Sequence, residues 1–546
     1  MAADAPRRTL IEAVAVAGIM VLATAVLFAP WMAHLSTALI GPAEDNLQDF
    51  WNSWYAAAGS KPGRFFITDL IRFPEGTPLN YHSFAYPQVF LLVALTKLFG
   101  PGRETLIFLQ NLTLLLSFPM AGTGAYYLVR HFTPNAGASL AGAFVFAFNP
   151  WHVAQAMHHA HVSWIGFIPF FVLAYLLALE RKSWMWLCVS MAFYALSALS
   201  CWYYLFYNAF FILFHAIYLR IRDNELPKGW RLTAPLTCMS GTAIMLSPLL
   251  VPMALQSAHA YTEGNNFYVA DLFGYVLFPP THLLSDWTRA AYAQLSGNPW
   301  ESAVYLGLVN IALLIWYRLR TWRAGDPVLV YALCGMLTFC VFASGETLHA
   351  FGHDFTYIHL PDLVLAKLPF VANVRTPARA IVMVFLFLGI GVGQALSSLS
   401  PRVIAGLGLL MIADFWPVNL ASVEIPCAEE LAFVAGDRSP NIGVLNLPSG
   451  YLESNIYMVQ QTCHSKAIVQ GNVSRVVRPS LIDHLETADL RKQREQLVRV
   501  HVKYIVLERA REGLFNWPTS GAQPTDYLKA YPTVVRSADI TVLKVF

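Results

Sequence analysis

The stretch Gly41 to Trp54, GPAEDNLQDFWNSW, sets Glu44, Asp45 and Asp49 beside Trp51 and Trp54, directly after a long apolar run. Carboxylates at the mouth of a membrane helix are costly unless water, a metal or a reaction partner meets them. A carboxylate within reach of a hydroxyl can take its proton as that oxygen attacks, and Asp45 is the candidate for this general base. Asp49 falls on the same face if the stretch is helical. Glu44 and Asp49 are then supporting acids, as candidate ligands for a divalent cation such as Mg2+ or Mn2+ or, for Asp49, as a like charge that tunes Asp45. The competing reading is an ordinary solvated loop.

Two further groups carry chemistry. In NPWHVAQAMHHAHVSW, His158, His159 and His161 crowd together after His152, an arrangement that could ligate a metal or meet an anionic substrate. Interfacial histidines satisfied by backbone and water are the alternative. In NVRTPAR, Arg375 and Arg379 stand just before an apolar segment. Guanidinium groups grip phosphate oxygens bidentately and never lose their charge; anchoring to lipid head groups is the plainer role. The loop 256 to 302 adds Glu263, Asp271, His282, Asp286 and Glu301 among Tyr261, Phe267, Tyr268, Trp287 and Trp300. Such aromatics beside acids suit sugars or form an interfacial belt.

These groups need a membrane scaffold. With 56% hydrophobic and 13% charged residues over 546 positions, the chain is too apolar for a soluble protein, and its apolar residues fall in blocks. A net charge of +3 suggests no nucleic-acid surface. Arg7 and Arg8 precede a first anchor over about 10 to 31, so the N-terminus is cytoplasmic and 41 to 104 lies outside. The apolar piece 84 to 99 is short for a span. If it does not cross, every later basic cluster falls on the cytoplasmic side: Arg130 with His131, Arg181 with Lys182, Arg220 to Arg231, Arg318 to Arg323, and Arg402. Eleven spans result, the rest running near 104 to 129, 136 to 149, 163 to 179, 184 to 200, 203 to 219, 232 to 255, 303 to 316, 326 to 345, 379 to 397 and 402 to 420.

The expected fold is thus a polytopic α-helical membrane portion, 1 to 422, followed by a small extracytoplasmic α/β domain, 423 to 546. In the latter, 442 to 447, 467 to 470, 504 to 507 and 540 to 545 read as buried strands and 485 to 500 as an amphipathic helix. Cys427 and Cys463 lie in this polar region and could pair if it is outside the cytoplasm; the other five cysteines show no CxxC spacing.

With Asp45 to Trp54, FPEGTPL, AGTGAYYLVRHFT, AGAFVFAFNPWH, NPWESAVYLG, NVRTPAR and the tail pieces VLNLPSG, MVQQTCHSKAIVQGN and VKYIVLER in hand, nearly the whole chain resembles the GT-C superfamily. These are integral-membrane glycosyltransferases that use polyprenyl-phosphate-linked sugars, and the likeness is closest to a bacterial group with a periplasmic C-terminal domain. The resemblance implies an inverting hexosyl- or pentosyltransferase of the bacterial inner membrane, acting between a polyprenyl-phosphate sugar and a periplasmic acceptor that is a glycan, lipid or protein. It puts the catalytic base on Asp45; Arg375 and Arg379, by their own chemistry, are expected to hold the donor phosphate. His158, His159, His161, Trp51, Trp54 and Glu301 are expected to line the substrate site. Where the superfamily often carries a second acidic motif this sequence has the histidines, so metal use stays open. A flippase of lipid-linked glycans would need buried ionisable residues near the bilayer midplane, and few are present. A non-catalytic scaffold would be indifferent to Asp45.

Overall fold

A chain in lipid must satisfy its backbone polar groups internally, and the apolar stretches here do so as helices. The computed structural model describes all residues except 1–3, 62, 257–265, 324, 366, 368–373, 477, 510–516 and 518–520. Each of the eleven expected spans falls on a helix. Among the described residues five helices are long and apolar enough to cross a membrane: Arg103–Phe132, Ala160–Arg181, Trp202–Asp223, Trp230–Leu255 and Pro377–Leu396. The protein is therefore a membrane protein. Tyr86–Phe99 has 14 residues, shorter at about 1.5 Å each than the roughly 30 Å hydrocarbon core, but Pro401–Asp414 has the same length and Ala136–Ala147 and Leu308–Arg320 are shorter still, so length alone does not set it apart from the expected spans.

The helix Ile381–Leu396 is the axis of the bundle, with nearly every side chain buried. Gly142 and Gly389 let its backbone touch the helix Ala136–Ala147, since a Cβ on either would collide with the other's carbonyl oxygen. Such close approach is how small residues pack helices in lipid. Trp230–Leu255 is the opposite case. It exposes Leu232, Leu236, Ile244, Met245 and Val251, an apolar face suited to lipid.

At one end of the bundle the short strand Ala38–Ile40 pairs antiparallel with Ser422–Glu424, tying the segment after the first helix to the exit of the last. Beyond that exit, five strands form a mixed sheet in the order Thr533–Arg536, Ile540–Lys544, Val502–Glu508, Gly443–Leu447, Ala467–Ile468. The first three are antiparallel, and Gly443–Leu447 runs parallel to both of its neighbours. Four of these strands coincide with the sequence expectation; the edge strand Thr533–Arg536 and the helix Tyr451–His464 are additional to it. The helix expected at 485 to 500 is Leu490–Arg499, capped by Asp489.

The sheet sits directly on the first loop. Ile468 N–H donates to Leu70 O (2.8 Å) and its carbonyl accepts from Phe73 N–H (3.0 Å), so residues 70 to 73 extend the sheet edge. Phe50, Trp51 and Trp54 share one apolar core with Val444, Tyr457 and Val506. Each such large side chain contributes about 1.5–3 kcal/mol on burial. A Cys427–Cys463 disulfide fastens the approach to the sheet onto the helix Tyr451–His464.

Candidate active site

Asp45 and Asp49 are carried by one helix, Asp45–Trp54, and Glu44 stands just before it. Gly41 allows the chain to turn into it with φ +99°, where a Cβ would strike the carbonyl of Met157. The histidines come from the helix Pro150–His158 and the turn after it. Asn149 starts that helix, its Oδ1 accepting from His152 N–H at 2.9 Å, with Pro150 in the first turn.

The two segments meet residue by residue. His158 Nδ1 donates to Glu44 Oε2 (2.7 Å) and its ring stacks on Trp300 at 4.0 Å. His161 gives Asp49 both its backbone N–H and Nδ1, each 3.2 Å from Oδ2. His159 Nε2 lies 3.6 Å from Asp45 Oδ2 and 3.6 Å from Glu301 Oε1. Burial is the main influence on His159 and holds its pKa down at about 3, against the pull of Glu301, so the ring is neutral near pH 7.

Access separates the carboxylates. The Asp49 side chain is 7% exposed and Glu301 3%, whereas Asp45 is 26% exposed and Glu44 41%. Glu44, the more exposed, is held by His158, and Asp45 is the part-exposed carboxylate that faces His159. Its Oδ1 accepts from Asn455 Nδ2 at 3.3 Å, a side chain from the helix Tyr451–His464.

Several expected ligands are placed otherwise. Trp51 and Trp54 do not line a substrate surface: both are buried, Trp51 stacks on Tyr55 at 5.0 Å, and its indole N–H donates to Gln461 Oε1 at 2.8 Å. They point away from the face that holds Asp45 and Asp49, because positions six or nine residues on are rotated away from it. Glu301 is no open sugar ligand either. It accepts from Arg379 Nε (3.0 and 3.1 Å) and Nη2, and from Gln155 Nε2 at 3.1 Å. Burial pushes its carboxyl up, but the Arg379 charge, His159 and these hydrogen bonds prevail and leave it at about 2. Arg379 in turn lies over the Tyr203 ring at 4.8 Å, with two of its three nitrogens on Glu301, so it is a buried counter-ion and not an open phosphate ligand.

Arg375 is half-buried, and its buried Nε has no hydrogen-bond partner among the described residues. Burial and the nearby Arg375 charge lower the pKa of Arg475, which comes from the segment after the strand Ala467–Ile468. That segment is fixed to the first loop: Ser474 Oγ and Ser83 Oγ are 2.6 Å apart, and Ser474 N–H donates to His82 Nδ1 at 3.4 Å. His82 Nε2–H donates to Asn52 Oδ1 (2.6 Å), and burial followed by the His161 charge puts its pKa at about 3.

Among the described residues no group of three His, Cys, Asp or Glu side chains converges as metal ligands; Glu44 and Asp49 each face an imidazole instead. Glu263, Tyr261 and Asn373 lie outside the described residues. Asn455, Gln155, Gln461 and Arg475 escaped the sequence reading. A signal existed for Asn455, a polar residue on the helix face of Met458, Val459 and Thr462.

The architecture is a helical bundle with a long first loop that carries acids at one end and a sheet-bearing segment docked over it. It superposes on the oligosaccharyltransferase of Archaeoglobus fulgidus in the apo form with a TM-score of 0.55 and 12% identity, over 91% of this chain and 69% of that one. For the oligosaccharyltransferase AglB of the same organism, in complex with an inhibitory peptide and a dolichol-phosphate, the TM-score is 0.54 at 12% identity over the same shares. For the arabinofuranosyltransferase AftD from Mycobacteria it is 0.52 at 13% identity, over 98% of this chain and 40% of that one. The GT-C fold implied by the sequence motifs is thus the fold of this chain. The chain belongs to the family described as Domain of unknown function (DUF6311), whose model matches residues 66–416. No curated protein sequence matches it.

Proposed function

We propose that the protein is an inverting glycosyltransferase of a bacterial inner membrane that moves a sugar from a polyprenyl-phosphate donor to a periplasmic glycan, lipid or protein. The observation that carries this reading is the separation of three neighbouring acids: Asp49 is closed in against His161, Glu44 is bonded to His158, and Asp45 is part-exposed and placed against His159. Asp45 takes the proton of the acceptor hydroxyl as its oxygen attacks the anomeric carbon. The bond from that carbon to the phosphate oxygen breaks with its electron pair on the phosphate. Arg375, with Arg475 beside it, stabilises the charge of the leaving polyprenyl phosphate. Arg379 and Glu301 brace His159 against Asp45.

One observation supports the placement: a disulfide in the sheet-bearing segment suits an oxidising compartment. The likeness to AglB, whose structure holds a dolichol-phosphate, supports a lipid-carried donor, since an isoprenoid tail keeps the reaction at the bilayer edge.

The test is transfer in proteoliposomes from undecaprenyl-phosphate-linked glucose, mannose, galactose and arabinose to an envelope glycan extract, read as undecaprenyl phosphate released. Asp45→Asn is expected to lower the rate by about 10²–10⁴-fold. Unchanged release would remove Asp45 from the role of base.

A further inference from the structure

The sheet-bearing segment does more than cover the bundle. Its helix Tyr451–His464 faces the helix Asp45–Trp54, and three amides link that segment to this acidic helix. Asn455 Nδ2 donates to Asp45 Oδ1 (3.3 Å) and to Glu44 O (3.4 Å). Gln48 Nε2 donates to Asn472 O (2.9 Å), and Gln461 Oε1 accepts from Trp51 Nε1 (2.8 Å). Asn455 is itself held, its Oδ1 accepting from Asn472 Nδ2 at 3.1 Å, and it is fully buried.

The two oxygens of Asp45 therefore meet two different parts of the chain. Oδ1 is held by Asn455 and Oδ2 faces His159. A carboxylate on the first turn of a helix keeps free rotation about its side-chain bonds unless something fixes it. A buried amide donor with its own carbonyl locked is such a fixture, and a donated hydrogen bond also favours the ionised form that a base requires.

We infer that Asn455 is the positioning residue for the base Asp45, so that the docked sheet-bearing segment forms part of the catalytic centre. The inference rests on the proposed role of Asp45. Loss of the amide leaves the donor site untouched and lets the carboxylate rotate out of line, so kcat falls while the KM for donor holds. Replacement by aspartate sets a second carboxylate at the same place, which raises the pKa of Asp45 by like-charge repulsion.

The experiment uses the full-length protein in proteoliposomes with whichever undecaprenyl-phosphate sugar of the panel above reacts. Asn455→Ala is expected to lower kcat about tenfold or more with the donor KM within twofold. Asn455→Asp is expected to move the acid limb of the kcat profile up by about one pH unit or more. Asn472→Ser, which frees the Asn455 carbonyl without touching Asp45, is expected to give a smaller kcat loss of the same kind, and stands in should either Asn455 variant fail to elute as a single species. An unmoved acid limb together with unchanged kcat overturns the inference while leaving Asp45 as base. Absence of release by the wild type, or full release by Asp45→Asn, overturns the reading beneath it.

Discussion

Replacing Glu301 by glutamine keeps the shape of the side chain and removes its charge, leaving the Arg379 guanidinium alone. Both are almost closed to solvent, 3% and 8% exposed, and the Nε contacts are 3.0 and 3.1 Å. At that separation, with an effective dielectric near 20, the attraction is about 5 kcal/mol. Stranding one member of a buried pair costs about 3–5 kcal/mol. At roughly 2 °C per kcal/mol for a large chain, Glu301→Gln should lower the Tm of the purified protein in nanodiscs by about 6–10 °C. Pairing it with Arg379→Met, which removes the stranded charge, should restore most of the loss. The sign with pH is also set: Glu301 sits at about 2 in the folded protein against an ordinary 4.5. Its contribution is fully present above about 4.5 and is lost only as pH falls through 2. The defect should therefore be the same at pH 5.5 and pH 8. A Glu301→Gln protein as stable as wild type, or a double variant no better than the single one, would refute the coupling.

Two further outcomes follow from the same structure. His82 and His159 are buried with pKa values of about 3, so the unfolded chain takes up protons below 6.5 where the folded chain does not. Stability is then full above 6.5 and falls as pH drops towards 3, by up to about 1.4 kcal/mol per pH unit for each ring; His82→Gln should reduce the loss between pH 7.5 and 5.5 by about 1 kcal/mol in denaturation curves, and an unaltered pH dependence would contradict the assignment. The Cys427–Cys463 bridge closes a separation of 36 residues, worth about 4 kcal/mol in the chain-entropy account. Cys427→Ser with Cys463→Ser should lose that stability, and alkylation of protein taken directly from membranes should find both sulfurs blocked, whereas free thiols would place the segment in a reducing compartment.

The elements were far more legible than the partnerships between them. Hydrophobic blocks and basic flanks put each expected span on a helix, five of them long and apolar enough to cross a membrane among the described residues, because lipid imposes a local rule, that every backbone group closes within its own segment. Buried strands such as Gly443–Leu447 and Val502–Glu508 were legible for a similar reason: short apolar runs bounded by turn residues. The acids and histidines were also found, since their spacing is visible within a few residues. What spacing could not show is which acid faces which base. Asp49 and Glu44 look as available as Asp45 in the sequence, and only the fold, by setting His161 and His158 against them, closes the one and occupies the other.

The same limit explains the residues placed otherwise. Arg379 suited a phosphate ligand in isolation, but Glu301 lies 78 positions away and takes its guanidinium inside the protein. Trp51 and Trp54 suited sugar stacking until the apolar core of the sheet-bearing segment, some 400 residues later, covered them. Asn455 meets Asp45 across 410 residues. Each case is a contact between the first loop or bundle end and a distant element, and a buried polar group is satisfied by whatever partner the tertiary structure brings to it. The site end of this protein is consequently a joint between two parts of the chain. Its acid stays in place only while the later part remains docked on the earlier one.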